Sequence, residues 1–298
     1  MLKVEHISKS YDDIKAVDDL SFEVKPGEIF GLLGVNGAGK TTTFRLIVNL
    51  LETETGCVTL FGKPIDYTIT DKIGFLTEER SLFTKMRVDE QLMYYGRLKG
   101  MDKKTINEKT DYWLKRLNME EFKHKKIKEL SKGNQQKLQF ITSIINEPKL
   151  LILDEPFTSL DPFNVSLLVE VLREMSNNGA IVIFSSHRME HVELFCERLV
   201  ILVRGKSILE GSLKQIKEDY RKKSIHISGD IDVDKIKKLK GVENVEPTPE
   251  GYIVRVESKE ITKDVFNIVK QGKNIVRFTV EDPTLDEIFV AKVGEVYE

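Results

Sequence analysis

Four short, uninterrupted apolar runs, at residues 29–33, 150–153, 181–184 and 199–203, limit what this chain can fold into. A strand with one face in water alternates apolar and polar side chains, whereas a run with no polar member needs cover on both faces. Helical stretches separate the runs, so the pattern predicts a mostly parallel sheet between helices, an α/β architecture. Three runs lead directly into polar residues: GVNGAGKTTT after residue 33, DEP after 153 and SSH after 184. Ligands of open α/β sheets bind beyond the carboxyl ends of the strands, so these segments predict one shared site at that edge.

Other segments read differently. Residues 1–30 look like antiparallel strands, with Leu20, Phe22 and Val24 alternating before the turn at Pro26 and Gly27. From about residue 85 to 145 the spacing turns helical, through Leu92, Tyr95 and Leu98 and then Trp113, Leu114 and Leu117. LSKGNQQ, at 130–136, opens a polar helix whose apolar positions are Leu138, Ile141 and Ile145. After Gly211 comes a charged linker, then short strands and two helical segments in the order β-α-β-β-α-β, the ferredoxin-like pattern. A last amphipathic helix, PTLDEIFVAKV, is expected to carry Pro283 in its first turn. With 298 residues the chain fits two domains, expected at 1–212 and 213–298.

Charge and cysteines exclude some classes. Lys and Arg number 46 against 48 Asp and Glu, a net charge of −2, which argues against a general nucleic-acid binder. The runs KHKKIKE and DKIKKLK read as solvated helix faces. No apolar run approaches the roughly 20 residues of a spanning helix, and MLKVEHISKSY lacks a leader's apolar region. A soluble chain is therefore expected, with any membrane role needing a partner. Cys57 and Cys196 form no CxxC pair and read as reduced, mostly buried thiols.

The chemistry begins at Gly34. Residues 34–41 fit G-x-x-x-x-G-K-[ST] between a strand and a helix, a loop whose N–H groups curl around phosphate oxygens. Lys40 would reach the β- and γ-phosphates, and the Thr41 hydroxyl would ligate Mg²⁺. Asp154, at the end of KLLILD, suits the metal, which leaves Glu155 to polarise water as a general base. The helix opened by Ser131 and Gly133 is a second anion site, because its first N–H groups are free.

The motifs and their order resemble the ATP-binding cassette (ABC) ATPases, the P-loop NTPases that energise ABC transporters; the resemblance covers roughly residues 1–212. It implies ATP and Mg²⁺ as cofactors, with Gly34, Asn36, Gly37, Ala38, Gly39, Lys40, Thr41 and Thr42 around the phosphates. Tyr11 aligns with the aromatic that stacks on adenine, Asp161 with the end of the D-loop and His187 with the switch histidine. LSKGN aligns with the family signature, so Ser131, Gly133 and Asn134 would contact the γ-phosphate of a neighbour's ATP. That arrangement implies a head-to-tail pair with a second copy or a paralogue, on the cytoplasmic face of a membrane beside a permease subunit. In catalysis, Glu155, His187 and Lys40 are implied to act; Thr41, Glu78 and Asp154 are implied at the metal.

This chain departs from the family pattern in places. Lys132 and Asn134 replace a glycine and a glutamine of the signature, and Val35 stands where proline is frequent. Glu78 occupies the position of a common glutamine that touches Mg²⁺ or its water. Leu82, Phe83, Met86, Val88 and the cluster of Met93, Tyr94 and Tyr95 read as core of the helical insertion, or as the groove that receives a helix of the membrane subunit. The ending PTLDEIF resembles export-type members, which favours an exporter. The alternative, a soluble ABC ATPase acting on ribosomes or DNA, fits less well, because one cassette and a short insertion are present. A non-hydrolysing regulatory cassette is opposed by the intact Lys40, Asp154, Glu155 and His187.

Overall fold

The apolar runs are neighbouring strands of one sheet in the computed structural model, which describes residues 1–79, 81–220 and 222–297. Two units divide the chain, Met1–Gly211 and Ser212–Glu298. In chain order the first contains β1 (Leu2–Tyr11), β2 (Ile14–Val24), β3 (Ile29–Gly34), α1 (Lys40–Ile47), β4 (Thr55–Leu60), β5 (Lys63–Pro64) and β6 (Ile73–Leu76). There follow α2 (Val88–Leu98), α3 (Lys103–Arg116), α4 (Lys132–Ile144), β7 (Leu150–Leu153), α5 (Pro162–Asn177), β8 (Ile181–Ser186), α6 (Met189–Phe195), β9 (Arg198–Val203) and β10 (Lys206–Ser212).

The larger sheet has the order β10-β9-β3-β8-β7-β6, parallel from β9 to β6. Every residue of β3, β7 and β8 is buried, which is why these strands carry no polar member before their ends. Alternate residues divide between two cores. Phe30 and Leu32, Leu150 and Ile152, Ile181 and Ile183, and Val200 and Leu202 pack with α1 and with β1 and β2 of an antiparallel sheet ordered β2-β1-β4-β5. Phe184 faces the other way, where its ring meets Phe157 and Phe195 at 6.2 and 4.8 Å. The edge strands β6 and β10 are additions to the sequence expectation; β6 carries Gly74 within its four residues and β10 is largely polar.

Local chemistry starts the helices of the insertion. The Asp102 carboxylate accepts the Thr105 N–H at 3.0 Å ahead of α3, and the Ser131 hydroxyl accepts the Asn134 N–H at 3.2 Å ahead of α4. Val88 and Leu92 of α2 are fully buried, whereas Phe83 and Tyr94 are about two-fifths exposed and form a ring cluster with Tyr95.

In the second unit, the expected charged linker folds in part into α7 (Leu213–Asp219), started by Ser212, which accepts the Gln215 N–H at 3.1 Å. Then come β11 (Lys223–Asp230), α8 (Val233–Lys237), β12 (Val242–Thr248), β13 (Gly251–Val256), α9 (Ile261–Val269), β14 (Lys273–Glu281) and α10 (Leu285–Tyr297). The antiparallel order β12-β13-β11-β14 around Ile225, Ile227, Val254, Val256, Val265 and Val269 is the split β-α-β arrangement.

Two expectations are corrected. Pro283 lies outside α10; the start is set by Thr284, whose hydroxyl accepts the Glu287 N–H at 3.2 Å while Glu287 accepts the Thr284 N–H at 3.1 Å. Cys196 is buried, but Cys57 is exposed, because it stands opposite Glu5 on the outer face of the β1–β4 pair while Val58 beside it packs on the core with Val4.

Candidate active site

The chain turns sharply as β3 ends at Gly34, and steric limits dictate glycine there. A Cβ at Gly34 would stand 2.5 Å from the Leu202 carbonyl oxygen. Gly39, at the cap of α1, has φ +104°, and a Cβ there would lie 2.1 Å from the Ala16 oxygen. Hydrogen bonds fix the turn: the Ala38 N–H donates to Val35 O at 3.1 Å and the Gly205 N–H to Ala38 O at 3.0 Å. Lys40, 8% exposed, folds back across the loop and donates to Gly34 O at 2.8 Å and Val35 O at 3.1 Å. Burial pushes its ammonium below the ordinary lysine value, while Glu155, Asp154 and Glu78 oppose the shift.

The ends of the neighbouring strands meet this loop. In the β7–β8 register Leu153 faces Phe184, so Asp154 and Ser185 follow side by side. Asp154, 1% exposed, accepts the Thr41 hydroxyl on Oδ2 at 2.7 Å and the Ser185 hydroxyl on Oδ1 at 2.6 Å. Ser185 also accepts the Glu155 N–H at 2.9 Å. Glu155 has a left-handed backbone, φ +51°, uncommon without glycine and frequent at functional sites. Its carboxylate Oε1 lies 2.9 Å from His187 Nδ1, within ion-pair distance; His187 is mostly exposed and Glu155 mostly covered.

The oxygens of Thr41 and Asp154 form a small, hard donor pair. Mg²⁺ commonly takes one or two protein oxygens and completes its shell with water and phosphate, so this pair suits it. Glu78 is exposed and lies close enough to bias Lys40.

The remaining sequence candidates sit elsewhere. Tyr11, 45% exposed at the end of β1, has no ring or hydroxyl partner among the described residues. Asn36 and Gly37 are exposed at the tip of the loop, and Thr42 follows Thr41 in α1. Asp161 caps α5, accepting the Asn164 N–H at 2.9 Å and its side-chain amide at 2.7 Å, and these donors hold its carboxyl below the usual range. Ser131 is exposed, and Gly133 and Asn134 are half-buried in the first turn of α4. No hydrogen bond or ion pair among the described residues joins that turn to the phosphate loop. The cap uses the Ser131 oxygen as an acceptor, which leaves its O–H and the N–H groups of Lys132 and Gly133 for an external anion.

Two participants escaped the sequence reading. Ser185 links Asp154 to the Glu155 backbone, and only its place at the end of an apolar strand marked it. Gln136, 4% exposed on α4, donates to Pro156 O at 3.0 Å and Glu155 O at 3.5 Å, tying that helix to the turn after β7. A cavity of about 240 Å³ lies nearby, lined by Ile73, Phe75, Leu82, Gln91, Tyr95 and Gln139.

Known proteins resemble this chain in sequence and fold. Residues 17–158 match the ABC transporter family, and residues 211–293 match the C-terminal domain of DrrA1-3-like ATP-binding proteins. The chain is 46% identical, over the full length of both proteins, to the ABC transporter ATP-binding protein YhaQ of Bacillus subtilis. It is 38% identical over 208 residues to the Nod factor export ATP-binding protein I of Rhizobium etli, covering 69% of this chain and 66% of the other. A solved ATP-binding subunit of an ABC transporter superposes with a TM-score of 0.69 at 29% identity, over 74% of this chain and 93% of that one.

Proposed function

Since the chain belongs to the ATP-hydrolysing cassettes of ABC transporters, we propose that it drives an exporter, pairing head to tail with a second cassette beneath a separate membrane subunit. The observation that carries the reading is the split between two half-sites. Lys40, Thr41, Asp154, Glu155 and His187 gather at one sheet edge, while no hydrogen bond or ion pair among the described residues joins Ser131, Gly133 or Asn134 to them. A cassette built this way completes its site only with a partner's signature helix.

Each residue then has a role. Lys40 leaves the carbonyls of its own loop for the β- and γ-phosphates, and Gly34, Asn36, Gly37, Ala38, Gly39 and Thr42 surround those phosphates. Thr41 and Asp154, with Glu78 beside them, hold Mg²⁺, which when bound neutralises charge developing on the phosphates. Glu155 takes the proton of the attacking water, and His187 holds its carboxylate in place. Tyr11 stacks on adenine. From the partner, Ser131, Gly133 and Asn134 close over the γ-phosphate, with Asp161 shaping the segment beside them. The cavity beside Leu82 and Tyr95 receives a helix of the membrane subunit on the cytoplasmic face. The Nod factor export protein among its relatives favours the outward direction.

A Glu155→Gln form tests this. It is expected to keep ATP bound, to dimerise only when ATP is present, and to bring a polytopic membrane protein out of mild detergent. Turnover at the parent rate would remove Glu155 as the base. An ATP-bound monomer would remove the head-to-tail pair, and recovery with ribosomes or DNA would replace the exporter.

A further inference from the structure

Gln139 lies three residues beyond Gln136 on α4, on the same side of the helix and equally buried at 4%. Its Nε2 donates to the Thr77 carbonyl at 2.8 Å and to the Glu79 carbonyl at 3.3 Å. Those carbonyls flank Glu78. Within the turn, the Thr77 hydroxyl donates to Glu79 O at 2.7 Å, and just before it the Asp154 N–H donates to Leu76 O at 2.8 Å. The chain is thus fixed at Leu76 by the metal-side aspartate, and at 77–79 by an amide reaching out from α4.

The other half of the Gln139 amide has no such use. Its Oε1 is buried without a hydrogen-bond partner among the described residues, a cost that an apolar side chain of equal size would avoid. A side chain that tolerates one orphaned oxygen in order to place two N–H bonds is selected for those bonds. A hydroxyl would be too short, and a carboxylate has no donor.

We propose that Gln139 is a positioning residue: it holds the 77–79 backbone so that Glu78 stands at the nucleotide's metal, and it makes that placement follow α4, whose first turn bears Ser131. The proposal rests on the assignment of Glu78 to the metal made above. It accounts for Glu78 itself having no hydrogen bond or ion pair among the described residues: its place is set through its backbone, which leaves the carboxylate free for the metal.

The test uses the full chain carrying Glu155→Gln, in which bound ATP persists, with ATP binding titrated against Mg²⁺ and amide hydrogen exchange followed at 77–79. Gln139→Met keeps the size of the side chain and removes both donors. It is expected to leave ATP affinity without Mg²⁺ unchanged, to speed exchange at 77–79, and to raise the half-saturating Mg²⁺ concentration about fivefold, the worth of one net hydrogen bond. Should the methionine variant fail to fold, Gln139→Glu keeps shape and polarity without a donor, and the same shifts are expected of it. Unchanged exchange and an unchanged Mg²⁺ requirement, where Glu78→Ala does raise that requirement, would overturn the role of Gln139 alone. If Glu78→Ala leaves the requirement untouched, the metal assignment of Glu78 falls and takes this proposal with it.

Discussion

Replacing Ser185 with alanine should cost the first unit a large part of its stability. The side chain is fully buried; it donates to Asp154 at 2.6 Å and accepts the Glu155 N–H at 2.9 Å, so one substitution removes both bonds. A bond to a charged group is worth about 1.5–3 kcal/mol and a neutral one about 0.5–1.5 kcal/mol. Asp154 is 1% exposed, so water has little access to the carboxylate oxygen that loses its donor. The expected loss is therefore about 2–4 kcal/mol, against a usual total of roughly 5–15 kcal/mol. Urea unfolding of the full chain reads it. The single tryptophan, Trp113, is 4% exposed in α3, so its fluorescence follows the first unit and not the second. The midpoint should fall with an unchanged slope, the mark of lost stability without a change in exposed surface. A loss below about 1 kcal/mol would refute the reasoning, because Asp154 and Glu155 would then be finding their partners elsewhere.

Two further outcomes follow from the same geometry. Gly39→Ala should lower ATP affinity about tenfold or more, since φ +104° and the Ala16 oxygen leave no room for a methyl group; equilibrium binding at the parent's affinity would contradict it. His191, 6% exposed against the Phe157 ring with its Nδ1 unpartnered, has its pKa lowered by burial and then by Arg188. The unfolded chain therefore binds the proton more tightly, so stability is full above the ordinary histidine value of 6.5 and falls as pH drops from there toward the lowered folded value. His191→Phe keeps the aromatic contact and should flatten unfolding midpoints measured from pH 7 to pH 5; an unchanged slope would exclude His191 as the group responsible.

The sequence by itself determined the sheet and the chemical parts at its edge. Strands β3, β7 and β8 are covered on both faces, and that environment writes itself along the chain as runs with no polar member. The glycine-rich loop at 34–41 was legible for a similar reason: its glycines, Lys40 and Thr41 lie within a single turn, so their spacing carries the geometry. The second unit's strand order followed from its alternation of elements. Tertiary structure alone decided which groups touch. Ser185 meets Asp154 across 31 residues because the β7–β8 register places them side by side, and Gln139 meets Thr77 across 62 because α4 packs on β6. It also exposed Cys57 opposite Glu5 and placed the cap of α10 at Thr284, leaving Pro283 outside the helix. Pattern along a chain records the surroundings that each segment requires. It does not record which distant segment supplies them, because that depends on register and packing summed over the whole fold.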